Sequence, residues 1–346
     1  MQALILAGGK GTRLRPLTVY TPKPIVPVVN RPFLLYQLDI LKAAGITDIT
    51  LSLSYQPDKI HHVLGNGSDF GVSIRYITEP SPLGTGGAYK FASDMLRETT
   101  VVFNGDILTN MSVSELIEFH IANDAVATLT LVPVEDTTKY GLVETDEGHR
   151  IRSFTEKPDP KEAARIKVNT INAGVYILQP EILDLIASDG NRSFEYDIFP
   201  EILKRKMPFF GHVIEDDYWL DIGTPASYLK AHHDFLAHNV EGFEIVRRSE
   251  SEVATHAEID EMSVIGEGCS IKPGARIINS VIGAGVHIEE KAHIENSVIW
   301  SHTRVATAAE IKNAIIGRSC HIGRNAIVSD GTVLGDKTAL TDYTRV

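Results

Sequence analysis

The sequence predicts an α/β domain on a mixed, mostly parallel sheet, followed by a three-sided parallel β-coil. Three observations carry this. Apolar strand-like runs alternate with helical patterns up to about residue 235, the signature of a largely parallel sheet. Beyond residue 250 the only aromatics are Trp300 and Tyr343. In that same stretch aliphatic residues recur every six positions, a period that neither a helix nor an ordinary sandwich produces. The 346 residues exceed what one hydrophobic core usually organises, so two domains are expected, 1–240 and 250–346.

In chain order, QALILAG, TDITLSLS, VSIRYI and TVVFNGD read as buried strands, with RPFLLYQLDILKAAG and GAYKFASDMLRE as helices between them. ATLTLVPV, GLVETD, IRSFTEKP and INAGVYIL read as further strands with fewer helices, a mixed extension of the sheet. Ligands of such sheets sit beyond the carboxyl ends of strands, where AGGKG, NGD and EKP fall.

In the C-terminal part Ile259, Ile265, Ile271 and Ile277 are spaced by six, as are Ile282, Ile288 and Ile294, then Ile299, Val305 and Ile311, then Ile316, Ile322 and Val328. The phase slips by one between groups, so SVIG, SVIG, SVIW and AIIG recur every seventeen residues, at 263, 280, 297 and 314. Three short strands per turn, each with one aliphatic pointing inward, account for this. The pattern resembles the hexapeptide repeat of left-handed β-helices, and the left hand is what that resemblance implies. Cys269 and Cys320 lie fifty-one residues apart, three repeats, and so should occupy equivalent places three coils apart. Strand stacking separates their backbones by roughly 14 Å, out of disulfide reach, so both are expected as free thiols.

The formal charge of −12 argues against a nucleic-acid coat. No run of eighteen apolar residues and no leader pattern is present, so a cytoplasmic protein without membrane attachment is expected. Residues 1–38 nevertheless contain no Asp or Glu, while Lys10, Arg13, Arg15, Lys23 and Arg31 are basic. That segment should concentrate positive potential for an anionic ligand.

The basic segment includes AGGKGTRLRPLT, directly after a strand. A Walker loop requires G-x-x-x-x-G-K-[ST], which is absent; a dinucleotide fingerprint fails because Leu14 stands at the third glycine and Arg31 where an acid belongs. What remains is a strand-to-loop turn whose glycines let backbone N–H groups approach phosphate, followed by cationic side chains.

LAGGKGTRLRPLT with TPKP, EPSPLGTGGA, VVFNGDIL, KYGLV, FTEKP, INAGVY and WLDIGTP, in that order, is similar to the sugar-1-phosphate nucleotidyltransferases, the NDP-sugar pyrophosphorylases. The resemblance implies a Rossmann-like, GT-A-like catalytic domain in which a sugar phosphate oxygen attacks the α-phosphorus of an NTP and pyrophosphate departs in line. It implies that Leu6, Ala7, Gly8, Gly9, Lys10, Gly11, Thr12, Arg13, Leu83, Gly84, Thr85, Gly86 and Gly105 bind the nucleotide. Arg13 would hold the leaving pyrophosphate and Lys23 the phosphates near the reacting centre. Glu156 and Asn172 would bind sugar hydroxyls, Gly141 would offer its backbone, and Lys157 would pair with the sugar phosphate. Asp106 and Asp221 would ligate Mg²⁺, which takes few protein ligands and keeps phosphate oxygens in its shell.

Within the family the sequence most resembles the mannose-1-phosphate guanylyltransferase branch, which implies GTP and mannose 1-phosphate. Glucose-1-phosphate thymidylyl- or uridylyltransferases and heptose-phosphate guanylyltransferases carry similar motifs. Two further readings are a bifunctional enzyme using His287 or His293 for acyl transfer, and a non-catalytic sugar-nucleotide sensor. The sensor reading predicts damaged motifs, whereas Arg13, Lys23, Asp106, Lys157 and Asp221 are all present. The adjacent pairs His61–His62 and His232–His233 fall on helical stretches where side chains diverge, so they are not expected to bind metal. The coil is expected to build a dimer or tetramer. Since no site motif lies beyond residue 250, removing it should alter assembly more than chemistry.

Overall fold

The computed structural model describes residues 1–137, 139–159, 168–188 and 190–346. It divides into two compact units: residues 1–10 with 34–219, and residues 11–33 with 220–346.

In the first unit the described residues form a nine-stranded sheet. Its strands are β1 (Gln2–Leu6), β2 (Asp48–Leu53), β3 (Ser73–Thr78), β4 (Thr100–Asn104), β5 (Ala127–Pro133), β6 (Gly141–Thr145), β7 (Ile151–Glu156), β8 (Thr170–Leu178) and β9 (Phe209–Val213). The main order is β7-β6-β8-β4-β1-β2-β3; β5 pairs with β8, and β9 with β5. Pairing is parallel from β3 through β2 and β1 to β4, then antiparallel at β8. β1 is central and parallel-paired on both sides, which explains its near-continuous apolar composition and burial.

Helices α1 (Leu34–Ala43), α2 (Pro57–Leu64), α3 (Gly84–Phe91), α4 (Val113–Ala122) and α5 (Phe199–Lys204) belong to this unit. The sequence pattern extends the third of these to residue 98, but α3 stops at Phe91 and the chain continues in turns through Ser93 and Asp94, residues that favour turns. The core gathers Tyr89, Tyr176, Phe194, Phe199 and Phe209; the Phe194 and Phe199 rings stack at 5.6 Å.

The second unit contains α6 (Pro225–Leu236) and a parallel β-coil of three sheets. Registers run Ile265–Ile282–Ile299–Ile316, Ile271–Ile288–Val305–Ile322 and Ile277–Ile294–Ile311–Val328, the aliphatic series of the sequence turned inward. The seventeen-residue slip falls at Asn279, Asn296 and Asn313, each with positive φ. A serine ladder stitches successive coils there: Ser280 N donates to Ser263 Oγ at 3.0 Å, and Ser297 N to Ser280 Oγ at 3.1 Å. Cys269 and Cys320 are buried free thiols, donating to Gly283 O at 3.1 Å and Gly335 O at 3.2 Å.

Residues 11–33 pack within this same unit. Their hairpin, Pro27–Val28 paired with Arg31–Pro32, turns at Val29 and Asn30, and Asn30 Nδ2 donates to Ile282 O of the coil at 2.8 Å. Asn30 thus bonds residues 11–33 to the coil within this unit. Among the described residues no helix is long and apolar enough to cross a membrane.

Candidate active site

In the first unit, β1 ends at Leu6 against the turn that follows β4. Gly105 N donates to Leu6 O at 2.9 Å, and a Cβ on Gly105 would stand 2.6 Å from that oxygen. Only glycine lets the Asp106 turn approach Leu6 and Ala7 this closely. Ala7 N continues the ladder to Ser52 O at 2.9 Å, and Ser54 Oγ donates to Gly8 O. Gly9 and Lys10 follow, both exposed.

Glu79 fixes the adjoining loop. It is buried, accepts from Ser52 Oγ at 2.8 Å, and accepts from Leu83 N at 3.0 Å just before α3. Gly84 has φ +76°, and a Cβ there would stand 2.4 Å from Arg192 O. Gly86 faces Arg192 and Ile198 at 3.2–3.4 Å, so Gly84 is the glycine that the packed 191–198 segment demands. Thr85 Oγ1 donates to Glu195 Oε2 at 3.0 Å and accepts from Phe194 N at 2.9 Å.

Two of the residues expected to bind the sugar, Glu156 and Asn172, lie near the same acid. Glu156 ends β7 opposite Gly141 of β6, where a Cβ would stand 2.6 Å from Glu156 Oε2. Lys157 has positive φ and an exposed side chain, with Nζ 3.4 Å from Glu156 Oε1. Asn172 lies where the β8 register breaks; its Nδ2 donates to Tyr176 OH at 2.9 Å, and Tyr176 OH donates to Glu195 Oε1 at 3.5 Å. Burial, reinforced by the negative charge of Glu195, raises the Glu156 carboxyl above the usual range, with Lys157 opposing. Glu195 thus links the α3 loop to the Asn172 strand through Thr85 and Tyr176.

In the second unit, Gly11 has φ +60° and its carbonyl accepts from Thr18 Oγ1 at 2.7 Å. Thr12 to Leu14 form a single 3₁₀ turn that presents Arg13, whose side chain is 62% exposed. Lys23, between Pro22 and Pro24, opens the third 3₁₀ turn of this segment and is buried. Both cations face Asp221: Arg13 Nη2 is 3.6 Å from Oδ2, and Lys23 Nζ is 3.9 Å from Oδ1. Gly223 lies against both groups: a Cβ there would stand 2.6 Å from Arg13 Nη2 and 2.7 Å from Asp221 Oδ1. Thr224 then caps α6, with Ser227 reciprocating, which fixes the backbone just after Asp221.

Asp106 of the first unit and Asp221 of the second supply hard carboxylate oxygens. Among the described residues no group of three His, Cys, Asp or Glu side chains gathers as a closed metal cage. Each carboxylate by itself is a hard oxygen donor of the kind Mg²⁺ accepts, unlike the thiolate and imidazole ligands of a structural zinc. Sequence reading passed over Glu79, Glu195 and Tyr176. Glu79 opens the EPSPLGTGG stretch and could have been flagged as an acid at a strand end, whereas Glu195 lies on one π-helical turn, Phe194–Ile198, which leaves no periodic mark.

The first unit thus carries a glycine turn at the end of β1 and a network of carboxylate and amide groups around Glu195, and the second carries two cations facing Asp221. Residues 2–238 match the nucleotidyl transferase family, and the chain belongs to it. Residues 244–346 match the EIF2B subunit epsilon LbH domain, in keeping with a left-handed β-helix. The chain is 37% identical over 287 residues to a mannose-1-phosphate guanylyltransferase of Mycobacterium tuberculosis, covering 80% of this chain and 78% of that one. It is 36% identical to a probable mannose-1-phosphate guanylyltransferase 1 of Oryza sativa, covering 79% and 75%. Among solved structures, a putative glucose-1-phosphate thymidylyltransferase from Bacillus anthracis superposes with TM-score 0.63 at 26% identity, covering 70% of this chain and 98% of that one. The activity class is that of a sugar-1-phosphate nucleotidyltransferase, with an NTP and a sugar phosphate as substrates. Enzymes of this class generally use a divalent metal.

Proposed function

We propose that this enzyme transfers GMP from GTP to mannose 1-phosphate, giving GDP-mannose and pyrophosphate in the cytoplasm. The names of the relatives support the choice of base and sugar, and the observation that carries the chemistry is the facing of Asp221 by Lys23 and Arg13.

In this reading the backbone from Leu6 to Thr12, the Gly105 turn and Leu83–Gly86 receive the nucleotide. Arg13, with its exposed side chain, neutralises the β- and γ-phosphates as pyrophosphate leaves. Lys23, held by two prolines, offers a fixed charge at the α-phosphate. Lys157 pairs with the sugar phosphate, and Glu156, Asn172 and the Gly141 backbone orient the hydroxyls. One phosphate oxygen of the sugar attacks the α-phosphorus, and the bond to the β-phosphate bridging oxygen breaks. No covalent enzyme intermediate is required, so alignment and charge neutralisation supply the catalysis. Asp106 and Asp221 would hold Mg²⁺, which when bound supplies charge neutralisation on phosphate oxygens.

The test is a panel of five NTPs against several sugar 1-phosphates with Mg²⁺, following pyrophosphate. The GTP and mannose 1-phosphate pair should have the highest kcat/KM. A different pair in first place would reassign the base or the sugar.

A further inference from the structure

Trp300 breaks the rule of its own repeat. The equivalent positions in other coils are Gly266, Gly283 and Gly317, reached through the registers Ile265–Ile282–Ile299–Ile316. Those glycines are required by stacking. A Cβ on Gly283 would stand 2.5 Å from Ser301 N, one on Gly266 2.6 Å from Ala284 N, and one on Gly317 2.7 Å from Asp336 N. At a repeat position whose other members leave no room for a side chain, the coil carries its largest, and that side chain is 2% exposed.

The indole is directed at α6. Its Nε1 donates to Tyr228 OH at 3.0 Å, the rings meeting edge to face at 6.4 Å, and the fully buried Tyr228 hydroxyl in turn donates to Pro27 O. A phenol that accepts from Trp300 is left with its single proton for Pro27, so the indole sets the direction of the second bond. Pro27 begins the hairpin immediately after the Lys23 turn, in which Val26 N donates to Lys23 O at 3.2 Å, and Phe33 N closes back on Val26 O at 2.9 Å. Four prolines, 22, 24, 27 and 32, stiffen that segment, so a constraint at Pro27 is carried to Lys23. Tyr228 also lies one turn into the helix that follows Asp221 and is capped by Thr224.

We infer that Trp300 and Tyr228 are positioning residues for nucleotidyl transfer, a relay from the β-coil that sets Lys23 against Asp221. This rests on the reading of Lys23 and Asp221 as phosphate-handling groups. Neither aromatic touches substrate; both act through the Pro27 carbonyl.

The experiment measures kcat, KM and melting temperature for Trp300→Phe, Tyr228→Phe, the double variant, Lys23→Ala and Ile311→Val in the full chain. Ile311 is a fully buried coil residue outside the relay, so Ile311→Val serves as a control for coil destabilisation alone. Trp300→Phe and Tyr228→Phe should each lower kcat by about tenfold with KM within about twofold, since misplacement of an aligned group is felt in turnover. The double variant should lose no more than either single one, as members of one relay do, and Ile311→Val should lower the melting temperature with kcat unchanged. Unchanged kcat in both single variants, multiplicative losses in the double one, or an equal kcat loss in Ile311→Val would overturn the inference. Wild-type turnover in Lys23→Ala would instead overturn the reading beneath it.

Discussion

The Lys23 ammonium lies 3.9 Å from Asp221 Oδ1, with the Lys23 side chain 9% exposed and the Asp221 side chain 19% exposed. The separations from Asp221 to its two cations, 3.9 Å here and 3.6 Å to Arg13, exceed hydrogen-bond length, so the attraction across these pairs is one of charge. In the proposed function a phosphate meets both cations here, and Lys23, buried and flanked by prolines, is the one whose place the fold sets. Lys23→Ala and Asp221→Asn should each lower kcat by about 10²-fold or more, the scale of losing one preorganised charge, with a melting temperature close to wild type. Steady-state kinetics beside thermal melts check this; near-normal turnover in either variant removes that residue from the machinery.

Gly84 gives a prediction about stability. Its φ of +76° and the Arg192 carbonyl 2.4 Å from a would-be Cβ leave no room for a side chain. Gly84→Ala should cost at least about 2 kcal/mol in urea denaturation and raise the KM for the nucleotide, because the α3 entry must move. Gly9, whose Cβ would meet nothing within 4 Å, is the contrasting site, where alanine should cost little stability.

Glu156 should give the acid limb of sugar-phosphate binding. Its carboxyl is raised first by burial and then by Glu195, so as pH falls it takes up a proton earlier than an ordinary Glu and loses acceptor capacity for hydroxyls. The KM for the sugar phosphate should rise in mildly acidic solution, and Glu195→Gln, which removes the neighbouring charge, should move that rise to lower pH. A pH profile of KM for the two proteins checks the direction. A profile unmoved by the substitution would refute the coupling.

His232 on α6 is fully buried; burial, then the adjacent His233, drives its pKa down to about 3. Its Nδ1 accepts from Val29 N at 3.3 Å, so the neutral ring is the form that holds the hairpin. The folded value lies below the ordinary 6.5, so the unfolded chain binds the proton first. Stability from this group is complete above about 6.5 and is lost as pH falls from there toward about 3, at a slope of order 1 kcal/mol per pH unit. Chemical denaturation at pH 7 and pH 5 should show that loss, reduced in His232→Asn. An identical slope in the variant contradicts it.

Much of the fold was legible because its signals are periodic. Six-residue spacing of Ile259 through Val328 needs no tertiary knowledge, and the buried strand β1 followed by glycines declares its own turn. What escaped was non-periodic and long-range. Glu195 works by meeting Thr85 and Tyr176, and Glu79 by meeting Ser52 and Leu83, contacts that no local pattern encodes. Nothing in residues 27–32 announces their hairpin or the bond from Asn30 to Ile282. Trp300 stood out as an isolated aromatic, but its partner Tyr228 could be found only in three dimensions.

The central claim is tested most directly by product stoichiometry. With GTP, mannose 1-phosphate and Mg²⁺, the purified full chain should form one pyrophosphate for each GDP-mannose, with neither product in the absence of the sugar phosphate and both suppressed by chelator and by Lys23→Ala. Pyrophosphate released from GTP without the sugar phosphate, or equal yields with the chelator present, would contradict the account.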